Sequence, residues 1–177
     1  DDIMRNVVWA MLPVAVYSVW SFGLGALVVL ATSTAACVLT EHFLAKISKK
    51  ESTISDWSAV ITGLLLGLTL PPGFPMWMAF LGGVISIALG KFVFGGLGYN
   101  VFNPALVGRA FLQASFPVAI TTWHPVYAPD RFPTVPAATF TPPFMEPSTV
   151  DAFTGATPLA AFKFDHVVTN SYDLALG

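Results

Sequence analysis

The sequence predicts an all-α integral membrane protein of about five transmembrane or partly broken helices, with an external Pro-rich loop after them. Three observations carry this expectation. Hydrophobic residues make up 55% of the chain and charged residues only 10%, where a water-soluble domain has about 25%. Mean hydropathy is +0.71. The apolar residues fall into runs of nearly span length, separated by glycine, proline or lysine-rich breaks. A net charge of −2 gives no case for nucleic acid, which calls for a basic patch. The single cysteine, Cys37, lies inside an apolar run and offers neither an internal disulfide nor a thiolate-rich metal site, so no metal is expected.

Residues 1–120 form the expected transmembrane region. The first span, 7–22, is apolar apart from small hydroxyls and carries Pro13, which a membrane helix tolerates better than a soluble one. Gly23 and Gly25 bracket a tight turn, and the second span, 26–44, holds small residues from Ala31 to Ala36 that let helices approach closely. The segment 46–56 carries Lys46, Lys49, Lys50, Glu51 and Asp56 and reads as a cytoplasmic loop, with Trp57 as an interfacial anchor.

The third run, 58–70, is short for a crossing and ends at Pro71, Pro72 and Pro75. The fourth, 76–94, is long enough and contains Lys91, expected to snorkel to the interface. Glu41 is the one carboxylate in a span and is expected to pair with Lys46 or face the headgroups. A glycine-rich turn at Gly95, Gly96 and Gly98 precedes the fifth run, 103–118, where Asn103 as N-cap and Pro104 as first helical residue make a good helix start. Arg109 lies one to two turns inside; snorkelling or helix-end pairing is expected of it. Asn103 and Pro104 also mark a helix break where an ion or a polar cavity could meet the backbone, a reading left open beside simple capping.

Charge sets the orientation. Six of the eight basic residues, Arg5, Lys46, Lys49, Lys50, Lys91 and Arg109, fall where a count of crossings from a cytoplasmic N-terminus puts cytoplasm. Residues 121–177 then lie outside, on the periplasmic or extracellular face of the cell inner membrane. Their first part interleaves six prolines, from Pro125 to Pro143, with Tyr127, Phe132, Phe140 and Phe144. These aromatics suit interface anchoring or cover for a neighbouring subunit better than stacking on a ring system. His124 and His166 are isolated and read as structural or solvent-facing rather than as metal ligands.

The decapeptide from Asp151 to Ala160 is the most chemical stretch. Thr154 and Thr157 offer hydroxyls separated by the small residues Gly155 and Ala156, Asp151 adds a carboxylate, and Pro158 disfavours helix at Thr157. On the residues alone an ordinary polar turn remains open.

Asp151, Thr154, Ala156 and Thr157 match the pattern Asp-x-x-Ser/Thr-x-Ala-Thr, which resembles the motif at which a flavin transferase esterifies the last threonine to the phosphate of FMN. Upstream, Gly-Gly-x-Gly-x-Asn-x-x-Asn-Pro-Ala-x-x-x-Arg from Gly95 to Arg109 resembles two related membrane flavoproteins: the D subunit of the Rnf ion-pumping complex and the B subunit of the Na+-translocating NADH:quinone reductase. The loop from Ser115 to Pro125 is more similar to the Rnf protein. Asn103-Pro104-Ala105 also resembles the aquaporin box, but that family needs a second copy, and a passive channel or transporter scaffold stands as a further alternative.

The Rnf resemblance implies a redox carrier with FMN bound covalently at Thr157, in a complex that passes electrons between ferredoxin and NAD and drives Na+ or H+ across the membrane. It acts as a subunit of an oxidoreductase, with no catalytic residue of its own. Implied partners are other membrane and peripheral subunits, a flavin transferase and the lipid bilayer. Family members continue past the flavin loop, and the chain opens at Asp1 without methionine, so a fragment with further C-terminal spans missing is expected.

Overall fold

A computed structural model describes residues 2–48, 56–96, 98–143 and 145. The described residues are helical, with no strand among them. α1 runs Asp2–Phe22 and α2 Leu24–Ser48; these two helices are long and apolar enough to cross a membrane. α3 is Ser58–Leu68, α4 is Met76–Ile87, α5 is Pro104–Ser115 and α6 is Pro117–Thr121. A π-helical turn, Ala88–Phe92, extends α4, and a 3-10 turn, Ala137–Phe140, lies in the proline-rich region.

The turn between α1 and α2 is tighter than the sequence suggests. Gly23 alone makes it, at φ 79°, in the left-handed region that a side chain disfavours. Leu24 N donates to Arg131 O, so the proline-rich segment is stitched to this corner. Gly25 belongs to α2, where its missing side chain lets Pro72 O approach.

α2 is the hub and packs against α1, α3 and α4. Backbone contact is close because small residues face one another: a Cβ on Gly63 would collide with Thr34 Cα, and one on Gly83 would stand 2.6 Å from Ala36 Cβ. Ser33 Oγ donates to Gly63 O at 2.9 Å across the same seam. Leu66, Phe74, Ala79 and Leu112, with Val29 from α2, fill the space between α2, α3, α4 and α5.

The fifth run departs from the single helix expected through 118. The residue before a proline is pushed out of the helical region, and Phe116 sits at φ −134°, ψ 59°, ending α5 before Pro117 opens α6. The fourth run departs too. Val93 N donates to Ala88 O, a wider turn than the α-helix makes, and this absorbs a residue just where Lys91 must face inward.

Candidate functional site

The site is built from the helix ends at one end of the bundle. α3 starts there: Asp56 Oδ1 accepts from Ser58 N at 2.9 Å and from Ser58 Oγ at 2.6 Å, which satisfies donors that the first turn leaves open. The π-helical turn ends there, and α2 passes between them. In an unbroken α-helix Lys91, eight residues beyond Gly83, would drift by about 80° from the face that Gly83 packs on α2. The wider turn reduces that drift and keeps Lys91 on the buried side with Gly90.

Lys91 is consequently 4% exposed and Glu41 5% exposed. Lys91 Nζ donates to Glu41 Oε1 at 2.7 Å and to Ser58 Oγ at 2.5 Å. A continuous polar chain results, from Asp56 through Ser58 and Lys91 to Glu41, with Glu41, Lys91 and Ser58 buried in an otherwise apolar bundle and Asp56 half-buried at its end. Such a group is expensive to bury and persists only when its partners are held in place. Chemically it can hold charge at a fixed depth. The Lys91 ammonium donates to both neighbours, Glu41 and Ser58, and Ser58 Oγ in turn donates to Asp56, so the bonds fix the cation between two acceptors.

Two expectations are corrected here. Lys91 does not snorkel outward; the π turn aims it inward. Glu41 pairs with Lys91 rather than with Lys46, because it lies on the face of α2 that meets α3 and the π turn. The signal for both was present as ionisable residues inside apolar runs, but the pairing depends on three elements meeting.

Asn103 Oδ1 accepts from Ala105 N at 3.0 Å, so its side chain caps α5 as Pro104 begins it. Pro104 packs on Gly90, where a Cβ would stand 2.7 Å from Pro104 Cα, placing this helix start beside the π turn. Arg109 Nη1 donates to Thr69 O, the carbonyl at the C-terminal cap of α3, where the helix dipole favours a cation. Arg109 is therefore paired with a helix end. Among the described residues no group of three or more His, Cys, Asp or Glu is placed to hold a metal.

In the loop after α6, Tyr127 packs edge-on against Trp20 at 5.3 Å between centroids and its hydroxyl lies 3.0 Å from that of Tyr17. Trp123 meets Phe22. These aromatics are committed to the α1 end. His124 closes over Gly73, where a Cβ would collide with the imidazole, and its Nδ1 is buried without a hydrogen bond. Burial lowers its pKa below the ordinary imidazole value. The residues singled out for the flavin, Asp151, Thr154, Gly155, Ala156 and Thr157, lie outside the described residues, as do Phe144, His166, Lys49, Lys50 and Glu51.

The whole chain, residues 1–177, matches the family described as NQR2, RnfD, RnfE. It is 45% identical over 163 residues to the D subunit of a proton-translocating ferredoxin:NAD(+) oxidoreductase complex of Clostridium ljungdahlii, covering 92% of this chain and 44% of that one. It is 43% identical over 162 residues to the D subunit of a Na(+)-translocating ferredoxin:NAD(+) oxidoreductase complex of Acetobacterium woodii, covering 87% and 49%. The D subunit of an ion-translocating oxidoreductase complex of Actinobacillus succinogenes is 42% identical over 125 residues, covering 70% and 35%. The chain thus spans less than half the length of each of these relatives.

Proposed function

The chain belongs to the NQR2, RnfD, RnfE family, and from that premise we propose that it is the membrane-embedded, FMN-bearing electron-transfer part of the D subunit of an ion-translocating ferredoxin:NAD oxidoreductase complex. The observation that carries the reading is the coincidence of two things in one chain. Its relatives are named as the D subunits of such complexes, and it contains Asp151-Ala-Phe-Thr-Gly-Ala-Thr157, a full match to the flavinylation pattern. Thr157 supplies the hydroxyl for the phosphoester. Asp151 and Thr154 precede it in the pattern, and Gly155 and Ala156 put no large side chain before it in the sequence. When attached, the flavin supplies one- and two-electron redox chemistry; the chain's part is to fix its position and surroundings.

Composition and the two long apolar helices support the membrane placement; we read the shorter apolar helices, α3 and α4 with its π turn, together with α5, as bringing the crossings to about five. Aromatics gathered at the α1–α2 corner support reading that corner as one water interface. With the lysine-rich segment cytoplasmic, that corner and Thr157 face the periplasm or exterior of a plasma membrane, within reach of an external flavin transferase. The ion is Na+ or H+: relatives of almost equal identity carry either in their names. The B subunit of a quinone reductase is the alternative within the family. Capping engages only the amide oxygen of Asn103 and is compatible with either reading; the full match over 151–157 is what favours the redox carrier over a passive channel.

The test is ultraviolet in-gel fluorescence after denaturing electrophoresis, comparing the chain with Thr157→Ala, both produced with a flavin transferase. A fluorescent band that disappears in the variant is expected. A dark unaltered chain, beside a labelled control substrate, overturns the flavin assignment.

A further inference from the structure

An apolar groove of about 620 Å³ runs between α1 and α2. Leu12, Val16 and Trp20 form one wall, Leu27 and Ala31 the other, and Phe132 closes one end. Leu12 to Trp20 is eight residues, so the groove follows the helix axis for about 12 Å. It is open to the surroundings along its length: Val16 is 67% exposed and Trp20 54%. Its volume lies within the range of about 300–1,000 Å³ that accommodates a drug-sized molecule. The shape and lining suit one hydrocarbon chain lying parallel to the helices.

What selects the occupant is the closed end. Arg131 Nε donates to Trp20 O at 2.9 Å and Nη1 to Ala128 O at 3.1 Å, while the guanidinium carbon lies 4.9 Å from the Phe132 ring centroid. The cation thus rests against two groove-lining residues. An arginine has five N–H donors, these two bonds leave Nη2 uncommitted, and no carboxylate pairs with Arg131 among the described residues. Trp20 and Tyr127 lie against it and Tyr17 contacts both of them, the residue types that gather at the headgroup level.

A hydrocarbon groove that ends at a guanidinium inside an aromatic cluster is complementary to an amphiphile with an anionic head. We propose that this groove binds one acyl chain of an anionic phospholipid, with the lipid phosphate on Arg131. The inference rests on the membrane placement proposed above and is independent of the flavin. A chain that carries flavin and retains no lipid would sink only this proposal.

The experiment is native mass spectrometry of the intact complex, released by mild detergent from vesicles of equimolar phosphatidylglycerol and phosphatidylcholine. The unaltered protein is expected to retain phosphatidylglycerol preferentially. One cationic contact near a membrane surface corresponds to about a five-fold preference, so Arg131→Gln should reduce it by about that factor. Arg131→Lys keeps the charge while changing the bonds to Trp20 and Ala128, and should preserve most of the preference; a merely structural arginine would fail in both variants. Ala31→Trp fills the groove and should abolish retention with Arg131 intact. Equal retention of both lipids by the unaltered protein, or undiminished retention in Ala31→Trp, overturns the proposal. So does a photo-crosslinker at Val16 that captures another polypeptide instead of lipid.

Discussion

Lys91 Nζ lies 2.7 Å from Glu41 Oε1, fifty residues apart in sequence, with both side chains 5% exposed. Removing one member leaves the other charged and buried, a change that costs about 3–5 kcal/mol. Lys91→Met and Glu41→Gln are each expected to lower the unfolding temperature in detergent substantially. The double variant removes both charges and should recover a large part of the loss. Additive losses would show that the two residues act separately, since a coupled pair gives a non-additive cycle.

Asn103 holds its helix start through one bond, from Ala105 N to Oδ1. Asn103→Ala should cost about 1 kcal/mol, the usual value of an N-cap side chain, while Asn103→Asp keeps the acceptor and should be close to neutral. Thermal unfolding of both variants checks this. If Asn103→Asp is as damaging as Asn103→Ala, the amide has a role besides capping, and a polar cavity at this helix break comes back into consideration.

His124 gives the fold a pH dependence of predictable sign. Its pKa is lowered by burial from an ordinary value of 6.5, so the unfolded chain binds the proton more readily than the folded one. Stability from this residue is complete above about pH 6.5 and is lost as the pH falls toward the lowered folded value. Melting measured from pH 7.5 to 5 should show a decline that His124→Gln reduces. An identical slope in His124→Gln would assign the effect elsewhere.

Much of the architecture was legible because its causes are local. Apolar run length locates α1 and α2, and the Asn103-Pro104 pair marks the start of α5, since capping and proline geometry involve only neighbouring residues. The end of α5 was equally local, in the effect of Pro117 on Phe116, but the apolar character continuing to Val118 concealed it. The π turn had no sequence mark. It changes hydrogen-bond register without changing composition.

The candidate site divides along the same line. By itself the sequence determined the membrane class, the starts of α3, α4 and α5 and the pattern around Thr157, because composition, caps and motifs are properties of contiguous residues; α1 begins at Asp2, five residues before its expected start. Only the tertiary structure decided that Lys91 turns inward to Glu41 and Ser58, that Arg109 meets the end of α3, and that Arg131 comes to rest beside Trp20 at the mouth of a groove. Each of these joins residues at least 33 positions apart. A side chain's partner across such a separation is fixed by how closely glycine and serine faces let the helices approach, and that distance is set by packing in three dimensions.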